Sequence, residues 1–400
     1  MSEPDGAAVG RAAREGAGDA LRDLARALAD TASLIGSVPE QLRVAPLPGG
    51  RPVPAPVQDT VDRLTGRLGL PGLEVVSSPN ILWAHELALS RRLALGPDAP
   101  AEAGDSLAEA VRDAMSGPPG EPVVLTARDG TPLRAYAAGR PGCPTVVAVP
   151  PSGMPVGLVT PWLRALSGSY RVLTWESRAL FAARGKADLP PLLGHDLTTQ
   201  GQDLLDVLDG FGVAEAHALA LCGGAAIALA AASVSPRVTS LSLWHGDFEL
   251  GGEAPKTQHQ RDVQAMLAMV GRGREQATAM HRLMRRPTTL DTLRPDVAHH
   301  LVHPYASPEL LYRYGLLNGS IMTTDCRPLL ASVDRPTLVV TSRQDATAHP
   351  EGSVRAAQVL PHGTLRLLPH GDHLTAFDAG PHLVRIAEEF IRDPYQRVGT

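Results

Sequence analysis

The amino-acid sequence predicts an α/β fold, a mostly parallel sheet with helices on both faces, and three observations carry the prediction. Short apolar runs at residues 145–150, 171–175, 217–222, 238–244, 337–342 and 364–369 each have the length and character of a buried strand. Most of them are separated by helix-length stretches, as parallel crossovers require. At the start, Asp129-Gly130 sits between the runs PVVLTA and PLRAYAA and reads as a hairpin turn.

Residues 1–120 read as an N-terminal helical extension. Leu21, Leu24, Leu28, Leu34 and Ile35 recur at helical spacing with Arg22, Asp23, Arg26 and Asp30 between them, which predicts one amphipathic helix over residues 11–35. A Pro-rich connector, PLPGGRPVPAPV, follows, then shorter helical patterns at 57–68, 80–95 and 106–115, broken by GPDAP and GPPGEP. Helices of this kind serve packing, pair two copies of a chain as a homodimer, or cover an active-site mouth. Residues 121–246 and 334–400 form the expected α/β core, with helices near 158–166, 199–211, 223–233, 352–360 and 381–391. Residues 247–333 hold several helical patterns and no convincing strand, which predicts a helical lid inserted between two late strands.

Bulk properties narrow the function. With 400 residues, 44% apolar and 20% charged, the chain is long enough for one large domain or two and has ordinary globular composition. A net charge of −5 gives no footing for nucleic acid or an anionic membrane surface. No apolar stretch approaches the roughly 18 residues of a membrane span, and the opening MSEPDGAAVGRAAREG lacks a signal-peptide core, so a cytoplasmic location is expected. Cys143, Cys222 and Cys326 are too few and too irregularly spaced for a disulfide framework or a zinc site.

One cysteine stands apart by context. In HALALCGGAAIALAA an apolar strand runs into an Ala-rich helix, with Ala220 two residues before Cys222 and Gly224 two after. Small residues at those positions are what a tight strand–turn–helix elbow needs, because bulk there clashes as the chain reverses. The small-x-Cys-x-small pattern resembles the G-x-S-x-G elbow of the α/β-hydrolase family, and the likeness covers roughly residue 122 to the C-terminus. Ala220 departs from the first Gly, and Cys222 departs from Ser. A thiol at a helix N-terminus beside a histidine is expected to ionise more readily than a free one.

The resemblance implies the remaining groups. TLVVTSRQDATAHP places Asp345 just past a late strand as the acid, with Asp247 in LWHGDFE as the alternative where some family members carry theirs. HGDHLTAF makes His373 the base, and His370 a turn residue. Nucleophile, acid and base then run in the family's chain order. The oxyanion of acyl chemistry would be held by backbone N–H groups of Gly223 and Met154, the latter in VVAVPPSGMPVG, where Ser152 and Gly153 stand in the family's HGxP loop. Such donors contribute about 3–4 kcal/mol each. Glu176 and Arg178 in TWESRAL read as a structural ion pair.

Weaker signals complete the survey. His299 and His303 are spaced to share a helix face, but no third metal ligand follows, and neither metal nor nucleotide cofactor is expected, since no dinucleotide or Walker loop is present. Tyr312, Tyr314, Met322 and Trp244 are candidates to line a pocket. The expected reaction is attack of Cys222 on an ester or thioester carbonyl of a small-molecule or carrier-bound acyl substrate, ending in hydrolysis, acyl transfer or ring closure. PSGMPVGLVTPW with RVLTWESRALF is similar to hydrolase-like tailoring proteins of bacterial polyketide and peptide pathways, some of which eliminate acetate from O-acetylated tetronates. That likeness keeps a lyase reaction open, as it does a non-catalytic binding scaffold.

Overall fold

The computed structural model describes residues 6–46, 57–95, 106–182 and 188–395. In its first stretch the elements are α1 (Gly6–Asp30), α2 (Ala32–Ser37), β1 (Leu42–Val44), α3 (Val57–Leu68), β2 (Leu73–Val75), α4 (Ala84–Leu93) and α5 (Ser106–Met115). Then come β3 (Val123–Thr126), β4 (Pro132–Ala138), β5 (Thr145–Val149), α6 (Thr160–Leu166), β6 (Arg171–Trp175), α7 (Leu197–Gly210), β7 (Ala216–Leu221), α8 (Gly224–Val234) and β8 (Val238–Trp244). After these follow α9 (Gln258–Val270), α10 (Arg274–Met284), α11 (Ala298–Leu301), α12 (Pro308–Thr323) and α13 (Arg327–Ser332). The chain closes with β9 (Thr337–Ser342), α14 (Pro350–Val359), β10 (Gly363–Leu368) and α15 (Pro381–Arg392).

Two compact units share these elements. The first comprises residues 1–116, 182–188 and 280–307, and the second residues 117–181, 189–279 and 308–400. Residues 280–307, read from sequence as part of the lid insert, therefore belong to the same unit as the N-terminal helices.

Within the first unit, Leu21, Leu24 and Leu28 are buried as their spacing predicts, and α1 packs on α5. The single helix expected over residues 11–35 is instead two, parted at Thr31, whose hydroxyl donates to the carbonyls of Ala27 (2.8 Å) and Leu28 (3.2 Å). β1 and β2, which sequence patterning does not flag, pair in parallel. Beside them the buried Glu86 takes the Arg43 side chain at 2.8 Å and caps α4 through the Trp83 N–H at 2.8 Å. Residues 47–56 of the Pro-rich connector and the GPDAP segment (96–100) lie outside the described residues.

The second unit is built on one eight-stranded sheet in the order β10-β9-β8-β7-β5-β6-β4-β3. β3 and β4 form the antiparallel hairpin that Asp129-Gly130 signals, β4 runs antiparallel to β6, and all other neighbours are parallel. All eight strands coincide with the apolar runs. β7 and β9 are buried along their whole length; α8, whose Ala-rich sequence lets it lie close to the sheet, packs on β7, and α14 packs on β9. From residue 247 to 333 the described chain holds helices joined by loops, with no strand beyond one isolated bridge, Glu249 with Asp325. Among the described residues no helix is long and apolar enough to cross a membrane.

Candidate active site

β7 delivers Cys222 to its carboxyl end in a left-handed backbone conformation, φ 52°. A non-glycine residue there is strained by about 1–2 kcal/mol and persists only where the surroundings hold it. They do so here: the Cys222 N–H donates to Trp244 O at 3.0 Å, and the Cys222 carbonyl accepts from Ala225 N–H at 3.0 Å. A Cβ on Gly224 would lie 2.5 Å from Val149 O and 2.7 Å from Pro150 O, which explains the glycine two residues after the thiol. Gly223 precedes the first turn of α8, and no hydrogen bond occupies its N–H among the described residues.

The residues expected as acid and base follow the last two strands of the chain. Asp345 follows β9, buried, with Oδ1 accepting the N–H groups of Thr347 (2.8 Å) and Ala348 (2.9 Å). Its Oδ2 accepts His373 Nδ1 at 2.9 Å. His373 opens a 3₁₀ turn (His373–Asp378) after β10, and its remaining ring nitrogen leaves it to bond the Cys222 side chain. That turn is fastened twice. Trp162 Nε1 on α6 donates to Ala376 O at 2.7 Å, and the loops after β9 and β10 are joined by Ser342 Oγ donating to Gly371 O and by Arg343 N–H donating to Leu368 O at 2.9 Å.

A residue that sequence reading did not single out completes the cluster. His245, the first residue after β8, also directs Nδ1 at Asp345 Oδ2, again at 2.9 Å. It too has positive φ, 49°, and its N–H donates to Val340 O at 2.7 Å. The signal available was position alone: in parallel sheets the residues just past the strands' carboxyl ends build the site.

The electrostatics follow from this wiring. Burial pushes the Asp345 carboxyl up, but hydrogen bonds from His245 and His373 overcome it and hold the group well below the usual carboxylate range. Burial alone would lower His373; the charge of Cys222 and the hydrogen bonds to Asp345 and Cys222 instead raise it well above its ordinary value. Asp247, the alternative acid, does not bond His373. Its Oδ1 accepts Gln260 Nε2 at 2.6 Å, and burial raises it.

In the loop after β5, Gly153 has φ 82° and lies under the ring of Tyr314, which a Cβ would meet at 2.6 Å. Its N–H is taken by Ser177 Oγ at 2.8 Å. The Met154 N–H makes only a long turn bond, 3.3 Å, to Pro151 O. The Ser152 hydroxyl donates to Gln200 Oε1 at 3.2 Å, and Gln200 Nε2 donates in turn to Leu317 O (3.0 Å) and Ser320 Oγ (3.1 Å), tying this loop to α12. α12 thus sits over the elbow, with Tyr314 against Gly153 and Asn318 and Ile321 beside Gly223.

Other expectations fall differently. Glu176 and Arg178 are not partners: Arg134 pairs with Glu176 at 2.9 Å, whereas Arg178 forms a bidentate pair with Asp203 (2.8 and 2.5 Å) and reaches Asp129 at 2.6 Å. Among the pocket candidates the Tyr314 side chain adjoins the Ser152–Met154 loop; the Trp244 ring packs at a tilt against Trp162, centroids 5.2 Å apart, and Tyr312 lies under Arg274. His299 and His303 do not share a helix face, because α11 ends between them. His299 Nε2 lies 3.0 Å from Asp30 Oδ2 and His303 Nε2 3.1 Å from Ser37 Oγ. Asp30, His299 and His300 cluster closely enough to hold a cation, but Arg92 Nε already donates to Asp30 Oδ2 at 2.7 Å and supplies the positive charge. His245, Asp345 and His373 cluster as closely, with both Nδ1 atoms hydrogen-bonded to the carboxylate.

Known proteins share this architecture. A family model described as α/β hydrolase fold matches residues 163–380. The putative carbamate hydrolase RutD of Stutzerimonas stutzeri (strain A1501) is 24% identical over 246 residues, 59% of this chain and 87% of that protein. The 3-oxoadipate enol-lactonase 1 of Acinetobacter baylyi (strain ATCC 33305 / BD413 / ADP1) is 29% identical over 107 residues, 27% of this chain and 38% of that one. Among solved structures, the enol-lactonase from Burkholderia xenovorans LB400 superposes with a TM-score of 0.54 at 19% identity, covering 68% of this chain and 100% of that one. With more than half of its length matched by the family model and an eight-stranded sheet of the same kind, this chain belongs to the α/β hydrolase fold family.

Proposed function

We propose that the protein is an acyl-transfer enzyme in which Cys222, His373 and Asp345 act as nucleophile, general acid–base and orienting acid. The observation that carries this reading is the single hydrogen-bonded chain from a thiol on a strained elbow, through His373, to a buried and ionised Asp345. Sγ attacks the carbonyl carbon of an ester, lactone or thioester, and the carbonyl oxygen takes up the negative charge. The open N–H of Gly223 and the weakly engaged N–H of Met154 are the donors for that oxygen. His373, held protonated, gives its proton from Nε2 to the departing oxygen or sulfur. The acyl group is then a thioester on Cys222. Water, a hydroxyl or an amine loses a proton to His373 as it attacks, which expels the Cys222 thiolate beside a protonated His373 and completes hydrolysis, transfer or ring closure. The relatives' names, an enol-lactonase and a carbamate hydrolase, fit carbonyl substrates of this kind. The likeness of residues 151–162 and 171–181 to tailoring proteins supports a biosynthetic acyl intermediate as substrate.

Exposure of the protein to p-nitrophenyl acetate should leave an acetyl group on Cys222, detected by intact-protein and peptide mass spectrometry, with no adduct in Cys222→Ala. In His373→Ala the rate of acylation should fall at least about 100-fold. Full turnover in Cys222→Ala would sink covalent catalysis and favour the acetate-eliminating lyase, in which His373 removes a proton from carbon.

A further inference from the structure

We propose that His245 is a positioning residue that shares the Oδ2 atom of Asp345 with His373 and so limits how tightly the carboxylate holds the proton on His373. The inference rests on the reading of Cys222 and His373 given above. Four donors converge on this one carboxylate: two backbone N–H groups on Oδ1, and two imidazole Nδ1 atoms on Oδ2, each at 2.9 Å. Both imidazoles must be protonated at Nδ1 to donate, so the two bonds compete for the lone pairs of a single oxygen. The rings meet edge to face with centroids 5.7 Å apart, and His245 holds this pose from a backbone position, φ 49°, that non-glycine residues rarely occupy.

A cysteine nucleophile gives such sharing a purpose. With serine, the aspartate alone stabilises the imidazolium. Here the sulfur's charge already raises His373, and an unshared Asp345 would add a second full stabilisation. A proton held that firmly is a poor one to give to a leaving group, since a general acid works best near the ambient pH. Dividing Oδ2 between two donors weakens the second pull while keeping the ring oriented. The other ionisable groups facing His373 are Asp247, two residues past His245, and His259 on α9; Asp247 acts in the opposite sense to His259, and neither bonds the ring.

Alkylation of Cys222 by iodoacetate, an anion that a protonated His373 draws to the sulfur and whose reaction falls off as that proton is lost, followed by mass spectrometry on the full-length protein from pH 5 to 10, reads the proton on His373. Removing the second donor in His245→Phe should move the upper pH limb of alkylation upward by about 0.5–1 unit, a 3- to 10-fold gain in proton affinity. His245→Gln, which keeps an N–H donor, should bring the limb back towards the wild-type position. A limb that stays in place or moves down in His245→Phe, whatever happens to the rate, overturns the inference, as does a Gln variant that behaves like Phe. Should the Phe variant not fold, imidazole ¹⁵N NMR of the wild-type protein decides. The two Nδ1–H protons should shift together through the pH step that closes alkylation, and independent titration overturns the coupling. Alkylation that ignores His373→Ala would instead mark failure of the underlying triad reading, whereas His373-dependent alkylation indifferent to His245 rejects only the sharing.

Discussion

At Cys222 the chain turns through a strained, left-handed backbone conformation, and Gly224 is the residue that makes the turn possible. Its Cα lies so near the carbonyls of Val149 and Pro150 that a methyl group would sit 2.5 and 2.7 Å from their oxygens. Backbone oxygens of a buried strand cannot yield as a side chain would. Gly224→Ala should therefore destabilise the protein by about 1–3 kcal/mol, read as a lower urea midpoint, and slow acylation of Cys222 because the elbow must widen. An unchanged midpoint would show that α8 can retreat. The elbow was legible in sequence because its constraint is local: small residues two before and two after Cys222, Ala220 and Gly224, within one strand-to-helix junction. The partnership of His245 with Asp345 was not, since 100 positions separate them and nothing in LWHGDFE marks the histidine over the aspartate two residues on. The partners of Arg178 were hidden for the same reason, Asp203 and Asp129 lying 25 and 49 positions away.

Among secondary-structure elements, the division of labour is by strand end. β5 leads to the Ser152–Met154 loop, β7 to Cys222, β8 to His245 and Asp247, β9 to Asp345 and β10 to His373. The eight strands of the large sheet could be read because each is a short apolar run bounded by turn residues. β1 and β2 could not, being three residues each, LRV and LEV, in a context of helical patterns. The break of the first helix at Thr31 carries no Gly or Pro and shows only in the hydroxyl's bonds back to Ala27 and Leu28. Helix α6 has a part in the site that its sequence does not announce, because Trp162 holds the turn that begins with His373. Trp162→Phe keeps the aromatic packing against Trp244 and deletes the bond to Ala376. We expect kcat to fall several-fold with KM little changed, corresponding to about 1 kcal/mol. A rise in KM with kcat preserved would place the turn in substrate binding instead.

For the whole molecule, buried histidines set the response to acid. Burial pushes His85 down to about 4, and His217 and His300 down to about 3. Unfolded, each takes up a proton near pH 6.5; folded, each refuses it until far lower pH. Stability from these groups is present above pH 6.5 and is lost as pH falls from there towards 3–4. His373 runs the other way, contributing below pH 6.5 and losing its contribution as pH rises through its elevated folded value, and so does Asp203, which burial raises to about 6; together they offset part of the loss from the three histidines. The unfolding free energy read from urea titrations should therefore drop between pH 7.5 and pH 5, with each buried histidine taking about 1–2 kcal/mol. A midpoint that holds constant across that interval would mean that these rings exchange protons without unfolding. His85 and His300 lie in the first unit and His217 in the second, so both units contribute to the transition. That division was itself beyond the sequence: residues 280–307 share helical character with the rest of the insert, and only their long-range packing assigns them to the N-terminal helices.

β8 lies between the strand that bears Cys222 and the strand that leads to Asp345, so the ends of those two strands stand two inter-strand spacings apart, each about 4.8 Å. That makes β8 a spacer with a fixed thickness. His217 on β7, its two ring nitrogens bonded to Ser240 at 2.8 Å and Ser242 at 2.9 Å on β8, is the shim that keeps the spacing constant. The spacing between Cys222 and Asp345 is thus set in the interior of the sheet, by a buried imidazole that bonds neither of them.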